Sequence, residues 1–281
     1  NAEWAKKSLE LKNKKEDVRP LLSAALKKYQ KELWSLPATH PAHIELQKRG
    51  YDETTAREWG IGFAPGKDFI YKEVSAIGKT TEARELFLIG DTQDKFWNRL
   101  VYPIHDKNDL LIGFAGRDLS NRDNSAKWIN PADSILYKKE KTLFAYAKAA
   151  SAIQKQNEVY IVEGYNDVIA WHRYGLENTV GPCGTAITDA QIAILRRLTN
   201  RVCFTMDGDK AGIASALKHI PAFIKAGFST QVILLPNCDP DDFIRDYDAL
   251  IGMCGLPTMF SEPNVKINGF KLLMEHELNN S

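Results

Sequence analysis

The chain has 281 residues, of which 44% are hydrophobic and 26% are charged, so it is long enough to bury a core and to form more than one folding unit. Its formal net charge of +1 favours no class of partner, and no apolar run approaches the roughly 18 residues that indicate a membrane span. The cysteines (Cys183, Cys203, Cys238 and Cys254) lack C-x-x-C spacing and paired histidines, which argues against a zinc site and favours free thiols in the cytoplasm.

The N-terminal third predicts helices. Residues 1–35 have a basic helical pattern that we expect to be interrupted at Pro20. From Leu21 onward the apolar residues follow helical spacing, which predicts one buried stripe with lysines opposite. The stripe contains Leu21, Leu22, Ala25, Leu26, Tyr29, Leu33 and Trp34. After residues 37–41, the segment HIELQKRGYDETTAREWGIGFAPG predicts two short helices that end in a turn rich in Gly and Pro.

The middle of the chain predicts a β-hairpin. NRLVYPIHD and LLIGFAGRDL are typical of strands, and Lys107-Asn108-Asp109 between them has turn chemistry. A loop-rich stretch follows, and then a helix near residues 142–155. The loop-rich stretch contains Lys127, Lys138, Lys139 and Lys141.

From Glu158 strands and helices alternate. VYIVEG, NTVGPCG, RVCFTMDGD and TQVILLP are typical of strands. NDVIAWHRYG, TDAQIAILRRLT and KAGIASALKHI between them are typical of helices, and Thr188 with Gln191 has the spacing of a capping box. Alternation of this kind with nearly continuous apolar strands predicts an α/β fold with a parallel sheet covered by helices on both faces.

Five carboxylates follow the strands of this predicted sheet. They are Glu163, Asp207, Asp209, Asp239 and Asp241. The carboxyl ends of parallel strands share one edge, where open α/β sheets bind ligands. Two carboxylates about 4 Å apart repel by roughly 1 kcal/mol in water and roughly 4 kcal/mol at an effective dielectric near 20, so a cluster needs raised pKa values, basic partners or cations. Carboxylate oxygens suit Mg²⁺ or Mn²⁺.

Each acidic motif has an alternative interpretation. A single Asp-x-Asp after a strand is weak evidence, because Asp is common in turns and at helix N-caps. Asp167 suits the first turn of a helix, where it interacts favourably with the helix dipole. Three acidic motifs at the ends of three separate strands are more specific, and together they indicate a metal site.

VEGYND, with Glu163, and MDGDKAG, with Asp207 and Asp209, resemble the TOPRIM fold of bacterial primases, type IA and type II topoisomerases and some nucleases. KRGYDETTAREWGIGFAPG, RLVYPIHDKNDLLIGFAGRDL and KWINPADSILYKKEKTLFAYAKA resemble the catalytic core of DnaG-type primases in order and spacing. The resemblance extends over roughly residues 40–245. It implies a TOPRIM-type parallel sheet flanked by helices, preceded by a smaller mixed α+β subdomain.

The chain departs from the family pattern at three places. Asp109 stands where the family usually has a glycine in the hairpin turn, and Ala115-Gly116 replaces paired glycines. Asn166 stands where an apolar residue is usual. These departures indicate a divergent member of the family.

The resemblance implies a nucleotidyltransferase that makes short RNA primers from ribonucleoside triphosphates on single-stranded DNA. It implies that Glu163, Asp207 and Asp209 are catalytic and hold two or more Mg²⁺ or Mn²⁺ ions, with Asp239 and Asp241 as further ligands. Asp167 would support these ligands without binding metal itself, and no zinc is expected in these residues. The basic residues implied for nucleotide or template binding are Arg49, Arg99, Arg117, Lys127, Lys138 and Lys139.

The predicted organisation is a basic helical segment (1–36), a primase subdomain (37–155), a TOPRIM domain (156–250) and a C-terminal remnant (251–281). Because the chain does not begin with Met, we expect it to be part of a longer protein that reaches a replicative helicase through other regions. No membrane partner is expected. Two other functions remain open: a TOPRIM nuclease and a non-catalytic nucleic-acid-binding module of a replisome. A topoisomerase is not expected, because it would need a nucleophilic tyrosine on a further domain and no such domain is indicated in these residues.

Overall fold

The structure is a computed structural model that describes residues 2–120, 122, 125–184, 186–207, 210–235 and 267–268. At residues 2, 206, 207, 210, 211, 234, 267 and 268 it describes the backbone alone. The chain divides into two compact units, one up to Lys139 and one from Glu140 onward.

The described helices are α1 (Ala2–Ser35), α2 (Pro41–Lys48), α3 (Glu53–Glu58), α4 (Tyr71–Ala76), α5 (Thr80–Glu85), α6 (Tyr146–Gln156), α7 (Tyr165–Arg173), α8 (Asp189–Leu195) and α9 (Lys210–Lys225). The described strands are β1 (Gly62–Ala64), β2 (Arg99–His105), β3 (Leu111–Asp118), β4 (Trp128–Ile129), β5 (Leu143–Phe144), β6 (Val159–Ile161), β7 (Thr179–Pro182), β8 (Arg201–Asp207), β9 (Ser229–Leu235) and β10 (Ile267–Asn268). A short 3₁₀ helix covers Lys139–Lys141.

Helix α1 is continuous, so the predicted interruption at Pro20 is wrong. Proline removes one backbone hydrogen bond and crowds the preceding turn. Here the residues on both sides of Pro20 are held by packing, because Val18 and Leu22 are both buried. The predicted apolar stripe is confirmed in its centre, where Ala25, Tyr29 and Leu33 are also buried. Tertiary packing therefore maintains the helix across an unfavourable residue.

The first unit contains an antiparallel sheet in the order β1-β2-β3-β4. The predicted hairpin is confirmed as β2 and β3, which pair from Arg99 with Asp118 onward. The Oδ1 atom of Asp106 accepts hydrogen bonds from the N–H groups of Asn108 (2.9 Å) and Leu110 (3.0 Å) and so closes the turn. Asp109 has a φ of 59°, a left-handed conformation that glycine adopts without strain.

The segment after α3 was predicted to be a turn, but residues 62–64 form β1 and pair with β2. Gly62 permits this arrangement because a Cβ atom at its position would lie 2.7 Å from the Cβ of Tyr29. The glycine therefore serves a close approach between strand and helix α1. The prediction of a turn was wrong because glycine was interpreted as a sign of turn conformation alone.

The described part of the second unit contains a sheet in the order β10-β9-β8-β6-β7-β5. The four central strands are parallel, and the edge strands β5 and β10 are antiparallel to their neighbours. Alternate strand residues such as Val159, Ile161, Val202 and Phe204 pack in one hydrophobic cluster with residues of α6, α8 and α9. The predicted α/β fold is confirmed.

The predicted capping box at the start of α8 is also confirmed. The hydroxyl of Thr188 accepts a hydrogen bond from the N–H of Gln191 (3.2 Å), and the Gln191 side-chain oxygen accepts one from the N–H of Thr188 (3.0 Å). Cys183 and Cys203 are buried free thiols, and Cys238 and Cys254 lie outside the described residues. In the residues for which coordinates are described, no helix has the length and apolarity to cross a membrane.

The boundary between the units falls earlier than the predicted domain boundary. Residues 143–156, which form β5 and α6, belong to the second unit, whereas the sequence assigned residues up to 155 to the first. Strand β5 pairs with β7 through Leu143 and Phe144, so it extends the second sheet. The functional domain assignments stay predictions.

Candidate active site

Two predicted carboxylate residues lie at or just beyond the ends of neighbouring parallel strands of the second unit. Ile161, the last residue of β6, lies opposite Phe204 of β8. Glu163 comes two residues after Ile161, and Asp207 is the last residue of β8. Adjacent strands are about 4.8 Å apart, so both residues lie at the same edge of the sheet. The side chain of Glu163 is exposed to solvent there.

The chain leaves the sheet after Glu163 through a glycine that is needed sterically. The Oδ2 atom of Asp167 accepts a hydrogen bond from the N–H of Gly164 (2.9 Å) at the start of α7. A Cβ atom on Gly164 would lie 2.7 Å from that same oxygen. Asp167 therefore fixes the peptide that follows Glu163, and the glycine leaves space for its carboxylate.

The remaining predicted metal ligands cannot be compared with the structure. Asp209, Asp239 and Asp241 lie outside the described residues, and Asp207 is described by its backbone alone. Among the side chains that are described, no group of three His, Cys, Asp or Glu residues is close enough to hold a metal. The chemistry of the donors fits an oxygen-preferring divalent cation, because an exposed carboxylate follows β6 beside the end of β8.

In the first unit, two of the predicted basic residues share one carboxylate. The Oε1 atom of Glu45 on α2 accepts hydrogen bonds from Nε of Arg49 (2.7 Å) and Nε of Arg117 (2.6 Å). The Glu45 side chain is only 14% exposed. Burial alone would raise the pKa of Glu45, but the charges and hydrogen bonds of Arg49 and Arg117 outweigh burial and lower it. The triad connects α2 to β3 and carries a net charge of +1.

Arg99, at the start of β2, is directed into the protein. Its side chain is 5% exposed. Nη1 donates to the carbonyl oxygens of Gly116 and Ala126, both at 3.0 Å, and Nη2 donates to Oγ of Ser125 at 3.0 Å. Nη2 also lies 3.6 Å from Oδ1 of Asp118. The guanidinium therefore ties the segment before β4 to the hairpin.

The predicted lysines are more accessible than the arginines. Lys127, Lys138 and Lys139 are all exposed. Nζ of Lys138 lies 3.5 Å from Oδ2 of Asp133, and the backbone N–H of Lys139 donates to Oδ1 of Asp133 at 2.9 Å. That backbone hydrogen bond, together with the charge of Lys138, lowers the pKa of Asp133. The lysine heads therefore remain at the surface, where a polyanion can reach them.

The two aromatic residues of this region differ in burial. Tyr137 is fully buried and belongs to the core. The ring of Trp128 is partly exposed and packs edge-on against Tyr102, with 5.1 Å between ring centroids. The guanidinium carbon of Arg117 lies 5.8 Å from the centre of the Trp128 ring. Of the two, only Trp128 has an accessible surface beside a predicted basic residue.

Sequence reasoning missed the acids that hold these arginines. Glu45 and Arg49 have the i, i+4 spacing of a helical ion pair, which was a usable signal. The second partner, Arg117, is distant in sequence, and no local pattern reveals it. Asp118 likewise becomes the neighbour of Arg99 only because β2 and β3 pair in this register.

Comparison with known proteins gives two family matches along the chain. A model described as the DNA primase catalytic core, N-terminal domain, matches residues 29–150, and a Toprim-like model matches residues 160–244. The DNA primase of Streptomyces coelicolor is 35% identical over 228 residues, which cover 76% of this chain and 35% of that protein. The DNA primase of Aquifex aeolicus is 34% identical over 219 residues, which cover 76% and 44%. The chain thus spans less than half the length of these relatives.

Solved structures agree with these matches and confirm the resemblance seen in the sequence. The RNA polymerase domain of Mycobacterium tuberculosis primase DnaG has a TM-score of 0.81 at 30% identity, and the match covers 93% of this chain and 87% of that one. A DnaG primase catalytic domain bound to single-stranded DNA has a TM-score of 0.81 at 26% identity, with coverage of 95% and 84%. The Toprim match implies the use of divalent metal ions. The chain therefore belongs to the DnaG-type primase family, in which it corresponds to the catalytic core.

Proposed function

We propose that this chain joins ribonucleotides into short RNA primers on a single-stranded DNA template. The observation that carries the proposal is the position of Glu163 and Asp207 at the ends of two adjacent parallel strands in a Toprim-like domain. That domain follows a primase-type N-terminal domain in the same chain. A Toprim sheet alone would leave the activity open, because one fold hosts many functions.

The reaction is the attack of a 3′-hydroxyl on an α-phosphate with release of pyrophosphate, so the protein mainly positions groups and stabilises charge. Glu163, Asp207 and Asp209 would hold Mg²⁺ or Mn²⁺, two or more ions in all, with Asp239 and Asp241 supporting a further ion. Such ions, when bound, stabilise the charges on the attacking and leaving oxygens. Glu163 also suits a role near the proton of the 3′-hydroxyl, since its carboxylate is exposed.

The basic residues divide into two roles. Lys127, Lys138 and Lys139 are exposed and are proposed to contact phosphates of template or nucleotide directly. Arg49 and Arg117 each donate a hydrogen bond to Glu45, and both are proposed to contact phosphate oxygens of template or nucleotide as well, because the planar guanidinium suits phosphate geometry. Asp167 positions the peptide next to Glu163 through its hydrogen bond with Gly164.

Arg99 is proposed to act indirectly. Its donors are directed to backbone carbonyls and to Ser125 inside the first unit, so it positions the segment that leads to Lys127. The proposed partners are single-stranded DNA, ribonucleoside triphosphates and the RNA primer, in the cytoplasm. A replicative helicase is a further proposed partner.

The experiment incubates the chain with single-stranded DNA, four ribonucleotides and Mg²⁺ or Mn²⁺, and resolves labelled products on a sequencing gel. Asp207→Asn is the test variant, and Asp189→Asn is the matched control, since Asp189 is an exposed residue in the first turn of α8. We expect short oligoribonucleotides from the unaltered chain and the control, and none from Asp207→Asn.

The other results separate the alternatives. Degraded template would favour a Toprim nuclease. If no product forms, a primed template is supplied, and extension there would show that polymerisation is intact and initiation alone is missing. If no extension product forms on the primed template either, the proposal is overturned in favour of a non-catalytic binding module.

A further inference from the structure

Trp97 is a large aromatic side chain that the fold leaves accessible. It lies two residues before the start of β2, and 46% of its surface is exposed to solvent. Tryptophan is highly buried on average, because its ring system is the largest apolar group in proteins. An exposed indole beside basic residues is therefore a candidate for binding a flat ligand, and its surroundings test that interpretation.

The indole is held in place from one side. Gly66 has a φ of 86°, and a Cβ atom at its position would lie 2.1 Å from Cδ1 of Trp97. The backbone of Gly66 thus packs directly against the ring edge, in a conformation and at a distance that only glycine permits. Because packing against Gly66 already restricts the side chain, binding a ligand should cost it little further conformational entropy.

A cation lies over the same ring. The guanidinium carbon of Arg122 is 4.3 Å from the ring centre of Trp97, and Arg122 is itself exposed. This is a cation–π distance. Nucleobases of single strands stack both on aromatic rings and on guanidinium planes. Trp97 and Arg122, here called the indole platform, place an aromatic ring and a guanidinium next to each other.

The platform lies at the same end of the first sheet as a proposed phosphate contact. The N–H of Leu119 donates to the carbonyl of Asn98, next to Trp97, at 3.0 Å. The N–H of Asp118 donates to the carbonyl of Lys127 at 3.0 Å. Asn98 and Lys127 are therefore two strand spacings apart, about 10 Å. A single strand whose phosphates contact Lys127 can place a base on the platform.

We propose that the indole platform binds an unpaired base of the single-stranded DNA template. The inference rests on the proposed function, which supplies the template, and it adds a base-stacking subsite to the proposed phosphate contacts. Stacking is tolerant of sequence because every base has a flat π-face. The platform would therefore hold the template strand without selecting a particular base.

The test measures binding of a fluorescently labelled single-stranded oligodeoxynucleotide by anisotropy at several salt concentrations. We expect Trp97→Leu to weaken binding about 5- to 150-fold, as is typical for loss of one stacked base. The slope of log Kd against log salt should not change, because stacking releases no counterions. Trp97→Phe should restore most of the affinity. Trp4→Leu is the matched control, since Trp4 is 75% exposed on α1.

A second oligonucleotide of the same length with abasic sites tests the base directly. The unaltered chain and Trp97→Leu should bind it equally, because no base is left to stack. A shift of the urea unfolding midpoint would show that Trp97→Leu destabilises the fold. In that case the binding of the two oligonucleotides is compared for Arg122→Gln, which alters an exposed side chain. A loss that depends on the bases supports the platform with either variant.

Three results would overturn the inference. If Trp97→Leu and the unaltered chain bind the normal oligonucleotide equally, Trp97 does not stack on the template, and the proposed function is unaffected. A loss that persists on the abasic strand would show a phosphate contact. If Trp97→Leu raises the KM for ribonucleotides and leaves the template Kd unchanged, the platform binds the base of the incoming ribonucleotide and not a template base. If the unaltered chain binds no single strand, the proposed function fails first.

Discussion

The predicted arginines of the first unit and Glu163 of the second unit differ in their burial and in their contacts. In the first unit, Arg99 and the triad of Arg49, Glu45 and Arg117 are largely buried and bonded to other parts of the same unit. In the second, Glu163 is exposed, and no hydrogen bond or ion pair of its side chain is present among the described residues. Burial and bonding therefore distinguish charged residues that stabilise the fold from charged residues that are accessible to ligands. Substitution of these buried charged residues and substitution of Glu163 should therefore affect different measurements.

The largest effect is expected for Glu163→Gln. Loss of a carboxylate that holds metal or accepts a proton should lower primer synthesis about a thousandfold, equivalent to about 4 kcal/mol of transition-state stabilisation. The urea midpoint should stay unchanged, because an exposed surface substitution usually alters stability by less than about 0.5 kcal/mol. The control is Glu177→Gln, an exposed glutamate in the same unit. A large loss of stability would show that Glu163 is structural.

Arg99→Met should show the reverse pattern. It removes the donor for two buried carbonyls and for Ser125, so we expect a loss of about 3 kcal/mol in the free energy of unfolding. Urea denaturation followed by fluorescence measures it. Arg84→Met is the control, because the side chain of Arg84 is about half exposed and pairs at 3.4 Å with Asp91, which is itself exposed. An unfolding free energy equal to that of the unaltered chain would contradict the buried role of Arg99.

Glu45→Gln should cost roughly 2 kcal/mol at neutral pH, because it leaves two largely buried guanidinium groups without their shared anion. The pKa of Glu45 is lowered from its ordinary 4.5, so the carboxylate adds stability above that value. This contribution is lost as the pH falls through the lowered pKa of the folded state. The difference between the unaltered chain and Glu45→Gln should therefore shrink below about pH 4.5.

Unfolding of both proteins is followed at several pH values, with Glu53→Gln as the control. Glu53 also pairs with an arginine four residues away, but its side chain is 64% exposed. The control should change stability by less than about 0.5 kcal/mol. A difference for Glu45→Gln that does not vary with pH would rule out the charge as the source of its effect.

The smallest effect on stability, less than about 0.5 kcal/mol, is expected for Lys127→Ala. Its effect should instead appear in DNA binding, where the salt slope should fall by about 0.7 for one lost phosphate contact to a single strand. Anisotropy titrations measure the slope, and Lys72→Ala on α4 serves as the exposed control. An unchanged slope would place Lys127 outside the template path.

Much of the second unit could be predicted from sequence because its signals are local. Apolar runs of strand length alternate with helical patterns, and Thr188 with Gln191 marks a helix start by spacing alone. The positions of Glu163 and Asp207 were predicted for the same reason, since each residue comes directly after an apolar run in the sequence. Their position at one edge follows from parallel topology.

The first unit was less predictable because its decisive contacts are distant in sequence. Nothing near Arg99 shows that its donors reach residues 116–126, so family resemblance suggested a ligand contact where the structure has buried hydrogen bonds. Gly62 was interpreted as a turn signal, although its role is to admit Tyr29. Pro20 was interpreted as a break, although packing carries α1 through it. In each case a tertiary contact outweighs a local preference.

The short outer strands of the second sheet have a consequence for behaviour in concentrated solution. Parallel strands such as β9 and β7 would otherwise offer a row of unpaired backbone groups to another molecule. Among the described residues, β10 and β5 pair with these strands through two residues each, in the opposite direction. Short antiparallel ends of this kind are poor templates for sheet extension between molecules. These short antiparallel pairings should therefore disfavour edge-to-edge association of two chains.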